Sequence, residues 1–268
     1  MEQYHPSPRT DGQGALRASV AAWYTVTAIG QWLFVAFIVG YYFVRTFSGD
    51  FAAWNEKPLI DGYKEGQWLA HLGFAVHSTL AAVMTATGTL QLNPWLRRRA
   101  PRVHRMSGRV FLVSACVLAA SGLALTWIRG TYLSTVSAVA VSVDAVLIFI
   151  TAALALRSAR LRDFERHRRW ALRLFMVANG VWMLRVGMMF WAVTTGGWGM
   201  SRAMDGPFDS FWAFGCYLLP LAMLELYFGV EARGRPARVT YSVALGVSTL
   251  AMAVGIFGTV ALLWLPYL

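Results

Sequence analysis

Charged residues make up only 14% of this sequence, and acids are the scarcer kind, with 13 Asp and Glu against 24 Lys and Arg. At 57% hydrophobic, the chain cannot hide its apolar side chains in a soluble core of ordinary proportions, so lipid is the natural solvent. Cysteine is nearly missing. Cys116 and Cys216 both fall inside long apolar runs, which excludes a disulfide framework and a Cys-rich metal site. No Cys-x-x-Cys-His occurs, which excludes covalent attachment of a c-type haem. No small-residue cleavage site follows a short apolar core, so no removable signal peptide is expected.

What is present is a series of long apolar runs. A helix needs roughly 20 apolar residues to cross a hydrocarbon layer of about 30 Å. About seven such runs stand near 19–43, 67–92, 110–128, 132–156, 170–193, 211–230 and 241–265. They are continuously apolar, whereas barrel strands alternate, so the expected fold is an all-α integral membrane protein. Residues 1–18 form a polar N-terminal segment and 19–268 a single transmembrane domain, with a four-helix core at about 67–194 flanked by spans one, six and seven. No stretch is left for a soluble flavin or nicotinamide domain.

The charges alternate with the loops. The second-to-third connection carries Arg97, Arg98, Arg99, Arg102 and Arg105; the fourth-to-fifth carries Arg157, Arg160, Arg162, Arg166, Arg168 and Arg169; the sixth-to-seventh carries Arg233, Arg235 and Arg238. The remaining loops hold Asp50, Glu56, Asp61, Glu65, Asp205 and Asp209. By the positive-inside rule the N-terminus is cytoplasmic and the C-terminus lies outside. The formal net charge of +11 then reports topology and contact with anionic membrane lipids, and no nucleic-acid partner is expected. Trp198, Trp212, Trp264 and Tyr267 read as interfacial belt residues. Span seven, which has no ionisable residue after Arg238, is expected to pack on lipid or a partner helix through Gly246, Gly255 and Gly258.

Ionisable groups inside a membrane are costly and mark functional candidates. His77 in span two, Asp144 in span four and Arg185 in span five reach a similar height, in the outer half, when counted at about 1.5 Å per residue. Asp144 and Arg185 read either as a buried ion pair or as part of a ligand site, and His77 either as a hydrogen-bonded core histidine or as a ligand group. His77, Ala81, Met84, Gly88 and Gln91 form one stripe of span two, a face that admits a close neighbouring helix or one edge of a flat ligand, whereas His71 points elsewhere.

His104 and His167 begin spans three and five in matching Val103-His104-Arg105 and Arg166-His167-Arg168 segments, followed by Arg109 and Arg173. This resembles a duplicated helical hairpin. The arginines and histidines there serve either as positive-inside anchors or as a haem b site, with two imidazoles on one iron and Arg105, Arg109, Arg168 and Arg173 near the propionates.

The pattern His77…Gly88-Thr89-Leu90-Gln91, His104-Arg105-Met106-Ser107-Gly108-Arg109 and His167-Arg168-Arg169-Trp170…Arg173…Arg185 resembles a family of uncharacterised bacterial membrane proteins catalogued as a domain of unknown function. Tyr217 and Glu225 continue it. The chain is also similar to the ascorbate-reducible two-haem cytochromes b, whose four-helix core places one histidine on each helix. His77 looks like the first of these, His104 like the second and His167 like the fourth. Span four offers Ser137, Ser142 and Asp144 but no third histidine, which leaves at most the inner haem. The resemblance implies a bacterial inner-membrane redox protein exchanging electrons with a quinol, a small reductant or a membrane redox partner. The alternatives are a proton-coupled transporter or channel using His77, Asp144 and Arg185, and a non-catalytic accessory subunit of a membrane complex.

Overall fold

In lipid a chain must satisfy its backbone hydrogen bonds within each segment, and the long apolar runs do so as helices. The computed structural model describes residues 12–56, 63 and 65–268, which contain helices and no strand. Asp61 and residues 1–11 of the polar N-terminal segment lie outside the described residues.

Helix α1 (Gln13–Ile38) continues through a π-helical turn (Val39–Phe43) into the short α2 (Val44–Ser48). α3 (Trp68–Gln91) leads through the short α4 (Pro94–Arg99) to α5 (Pro101–Trp127), which is followed by α6 (Thr135–Arg160). α7 (Phe164–Ala178) and α8 (Gly180–Thr195) form a pair bent by 53°, and α9 (Pro207–Val230) and α10 (Arg235–Gly258) follow. A second π-helical turn (Thr259–Trp264) extends α10.

Five of these stretches are long and apolar enough to cross a membrane, and the bent α7–α8 pair makes a sixth if it counts as one span. The protein is therefore a multi-pass helical membrane protein. The remaining expected span is α3. Its 24 residues reach about 36 Å, enough to cross, and they include His71, His77 and a run of hydroxyl residues. Its burial in the bundle, through Ala75, Ala82, Met84, Thr85 and Thr89, explains why it tolerates them.

The largest core cluster joins Met84 of α3, Phe111 and Ala115 of α5, Ile148 and Ala152 of α6, and Phe175 and Val177 of α7. These four helices belong to spans two to five, and α9 adds Leu224 and Phe228 to the same cluster. A second cluster packs α1 against α8 and α10 through Phe34, Phe37, Trp182, Met252 and Ile256.

Two expectations are corrected. Trp264 is no belt residue: it is 2% exposed and stacks on Phe34 and Phe37 at 5.3 and 5.2 Å. Trp212 is likewise drawn inward, donating from Nε1 to the Leu184 carbonyl at 3.1 Å and covering Gly187, whereas Trp198 is exposed. Gly255 and Gly258 of α10 face this chain's own α8, whereas Gly246 has open space around it. A side chain at Gly255 would strike the Val186 backbone, and one at Gly258 would meet Val193. Small residues let the two backbones approach, and the partner helix is internal. The outward face of α10, with Val243, Leu250 and Phe257, is exposed and apolar, as lipid contact requires.

Candidate functional site

Local chemistry sets up the arginine-rich end of the bundle. Asn93 caps α4 by accepting from the amides of Trp95 and Leu96, with Pro94 at the first helical position, so the chain turns sharply from α3 into α5. Gln91, at the end of α3, then grips the start of α5. Its Nε2 donates to the His104 carbonyl at 3.2 Å and to Ser107 Oγ at 2.6 Å, and Gly108 gives it room. The stripe of α3 above it faces α5 too, since Gly88 lies against Phe111 and Phe175. That face admits a neighbouring helix.

The α6–α7 turn is as tight. Arg162 takes a left-handed conformation at φ 57° and Asp163 caps α7 by accepting from the Arg166 amide. α7 thus folds back along α6, and His167 reaches the Ala155 carbonyl with Nδ1 at 2.9 Å. A carbonyl only accepts, so Nδ1 carries a hydrogen, and in the neutral ring the lone pair is on Nε2. His104 lies within electrostatic reach of His167, and its Nδ1 is buried with no partner.

Both histidines line one cavity of about 1890 Å³, together with Gln91, Arg105, Arg109 and Arg168. That exceeds the ~300–1,000 Å³ of an ordinary small-ligand pocket. Arg168 is shared between Glu165 and Glu231, each at 3.6 Å. Arg173 is committed elsewhere, forming a two-pronged bond to Glu225 of α9 at 2.6 and 2.8 Å beneath the Trp170 ring. The donor set suits a bis-imidazole haem: two histidines from two helices, one with its Nδ1 held by a backbone carbonyl, in a large cavity edged by guanidinium groups. A zinc-type site, by contrast, needs three or four protein ligands, and the described residues assemble no such group.

The second set of candidates does not come together as one. No ion pair joins Asp144 and Arg185. The Asp144 carboxylate lies against Gly180 and beside Cys216 and Tyr217, with Oδ1 buried and unpartnered. Arg185 stands over the Phe34 ring at 5.5 Å, within electrostatic reach of Tyr42 and His77. His77 Nδ1 meets Ser121 Oγ at 2.8 Å. Counting residues at a constant rise gave these groups a common level but no rotation, and the break at Asn179 turns α8 away from α6.

That break is a polar feature the sequence analysis passed over. Asn179 donates from Nδ2 to the Phe175 carbonyl at 2.7 Å and accepts at Oδ1 from Gln31 Nε2 of α1 at 2.9 Å, all buried. A lone Asn and a lone Gln inside apolar runs were the available signal. Glu231 and Tyr42 were missed as well. Glu231 follows α9 and is recognisable only once α9 is seen to end beside α7.

Residues 74–204 match a family described as predicted membrane protein (DUF2306). The match covers just under half of the chain, from mid-α3 to the turn after α8, and includes His77, His104, Asp144, His167 and Arg185. It supports a membrane-protein family without an assigned function. Tyr217 and Glu225, expected to continue the pattern, fall beyond its end. No curated protein and no solved structure matches the chain, so the similarity to cytochromes b rests on the histidine pattern alone.

Proposed function

We propose that this is a bacterial inner-membrane redox protein in which His104 and His167 hold one haem b at the arginine-rich, cytoplasmic end of the bundle. The observation that carries the reading is that two histidines far apart in sequence line one cavity, each with a ring nitrogen that no described residue uses. When bound, haem b supplies a one-electron carrier within the membrane. The Ala155 carbonyl holds the His167 tautomer that leaves Nε2 free, and Gln91 fixes the first turns of α5 so that His104 keeps its place. Arg105, Arg109 and Arg168 offer the positive charge that two propionates need. Arg173, already bound to Glu225, acts instead as a strut between α7 and α9. Electrons would come from or go to a quinol, a small reductant or a membrane redox partner.

Protein purified in mild detergent from haem-replete cells is expected to show a reduced-minus-oxidised b-type spectrum, lost in His104→Ala and in His167→Ala. A colourless protein with no pyridine haemochrome refutes the reading.

A further inference from the structure

The cavity lined by His104 and His167 does not end at the arginine-rich end of the bundle. A lobe of it continues along α9, beside α8 and α10. Phe208, Trp212, Leu219, Pro220, Met223 and Tyr227 line it at helical spacing on one face of α9, while α8 adds Gly187 and Trp191 and α10 adds Leu245 and Met252. From Tyr227 to Phe208 that face runs about 28 Å at 1.5 Å per residue, close to the ~30 Å hydrocarbon thickness of a bilayer. The lobe is as long as the membrane core is thick.

Along this length the polar hydrogens of the walls are already donated within the protein. Trp191 Nε1 bonds the Trp198 carbonyl at 2.6 Å, Trp212 Nε1 the Leu184 carbonyl at 3.1 Å and Ser248 Oγ the Ala244 carbonyl at 2.9 Å. Hydrocarbon fits such a lobe, whereas a polar ligand would leave its own groups unpaired. Phe211 and Leu219, also on the lining, are exposed, so the lobe opens sideways where lipid would lie. Among the described residues that α8, α9 and α10 give to the lining, charge is confined to Glu231 and Arg238 at the arginine-rich end. Arg17 of α1 lines the same end. The starts of α1 and α10 lie together there, since a side chain at Gly12 would meet Arg238 Cβ at 3.3 Å. No carboxylate among the described residues pairs with Arg17, and Glu231 is already shared with Arg168 at 3.6 Å.

We infer that this lobe binds a polyprenyl phosphate, with the isoprenoid tail along α9 and the anionic head on Arg17 and Arg238. Charge selects the head and length selects the tail. A phospholipid chain is confined to one leaflet, about half of the ~30 Å core, whereas the lobe runs nearly the whole distance. The site is separate from the haem reading, whose histidines stand on α5 and α7, and stands or falls without it.

The test follows the unfolding temperature of the full chain in mild detergent as undecaprenyl phosphate is added. Three comparisons are made at equal mole fraction in the micelle. Undecaprenol lacks the charge, farnesyl phosphate lacks the long tail, and phosphatidylglycerol carries a charge on chains of leaflet length. Because the micelle is as apolar as the lobe, differences report fit and charge rather than transfer from water. Undecaprenyl phosphate is expected to give a saturable rise, and each of the others to bind about tenfold more weakly or worse. Arg17→Gln, at an exposed position, should weaken binding several-fold, and Arg17→Gln/Arg238→Gln about tenfold. Ala251→Phe, which fills the lobe from α10, should remove the response while the protein alone still melts cooperatively. His104→Ala should leave the titration unchanged, so a protein without haem still tests the site. No saturable response overturns the inference. So does a response to undecaprenol or phosphatidylglycerol as strong as that to undecaprenyl phosphate, or an affinity unchanged in the double arginine variant.

Discussion

The Gln31–Asn179 contact gives an asymmetric prediction. Asn179 uses both ends of its amide, one on Phe175 and one on Gln31, whereas Gln31 uses only Nε2 and leaves Oε1 buried without a partner. Asn179→Leu removes two hydrogen bonds and strands the Gln31 amide group beside an oxygen that was already stranded. An unmade bond to a buried group costs ~1–3 kcal/mol. Hydrogen bonds between membrane helices run lower, at about 0.6 kcal/mol on average. We therefore expect a loss of about 2–4 kcal/mol for Asn179→Leu. Gln31→Met loses one bond and strands Asn179 Oδ1, but it also removes the orphaned Oε1, so the two desolvation terms largely cancel and the loss should be about 0–1 kcal/mol. In Gln31→Met/Asn179→Leu nothing polar remains at the contact, and the double variant should be more stable than Asn179→Leu alone. The assay is reversible unfolding of the detergent-solubilised protein, read as a double-mutant cycle. Equal costs for the two single variants, adding in the double, would refute the reasoning.

Gly255→Val should push α10 off the Val186 backbone and cost more than about 2 kcal/mol, measured in the same unfolding assay, whereas Gly246→Val, with open space around it, should cost little. Reporter fusions after Arg99, Arg162 and Arg235 are expected to report cytoplasm, and fusions after Arg202 and Leu268 the outside; a cytoplasmic C-terminus removes one passage from the proposed topology.

Hydropathy made the helical membrane fold legible because apolar runs, loop charge and helix length are additive properties of a sequence. Packing partners are not additive. The glycines of α10 could be read as a packing face, but not as a face for α8. Trp264 sits near a chain end, where an interfacial role is the natural reading, yet the preceding π-helical turn (Thr259–Trp264) accompanies its inward placement against Phe34 and Phe37. The matching His104 and His167 segments were visible as a pattern, and their meeting at one cavity follows from two tight turns whose residues, Asn93-Pro94 and Arg162-Asp163, are also visible. The Asp144–Arg185 pairing failed because a residue count fixes height along a straight axis and nothing about azimuth, and α7–α8 is not straight.

α3 is the one helix that carries a candidate group at both levels of the bundle. Gln91 grips α5 at one end, and His77 is bound to Ser121 of the same α5 fourteen residues earlier, about 21 Å away along the axis. Two bolts hold one rod to one neighbour. A sliding step of a single residue, about 1.5 Å, would lengthen the contacts at both bolts together, so α3 and α5 move as one plate. The contact that seats His77 on Ser121 therefore belongs to the same frame that sets the position of His104.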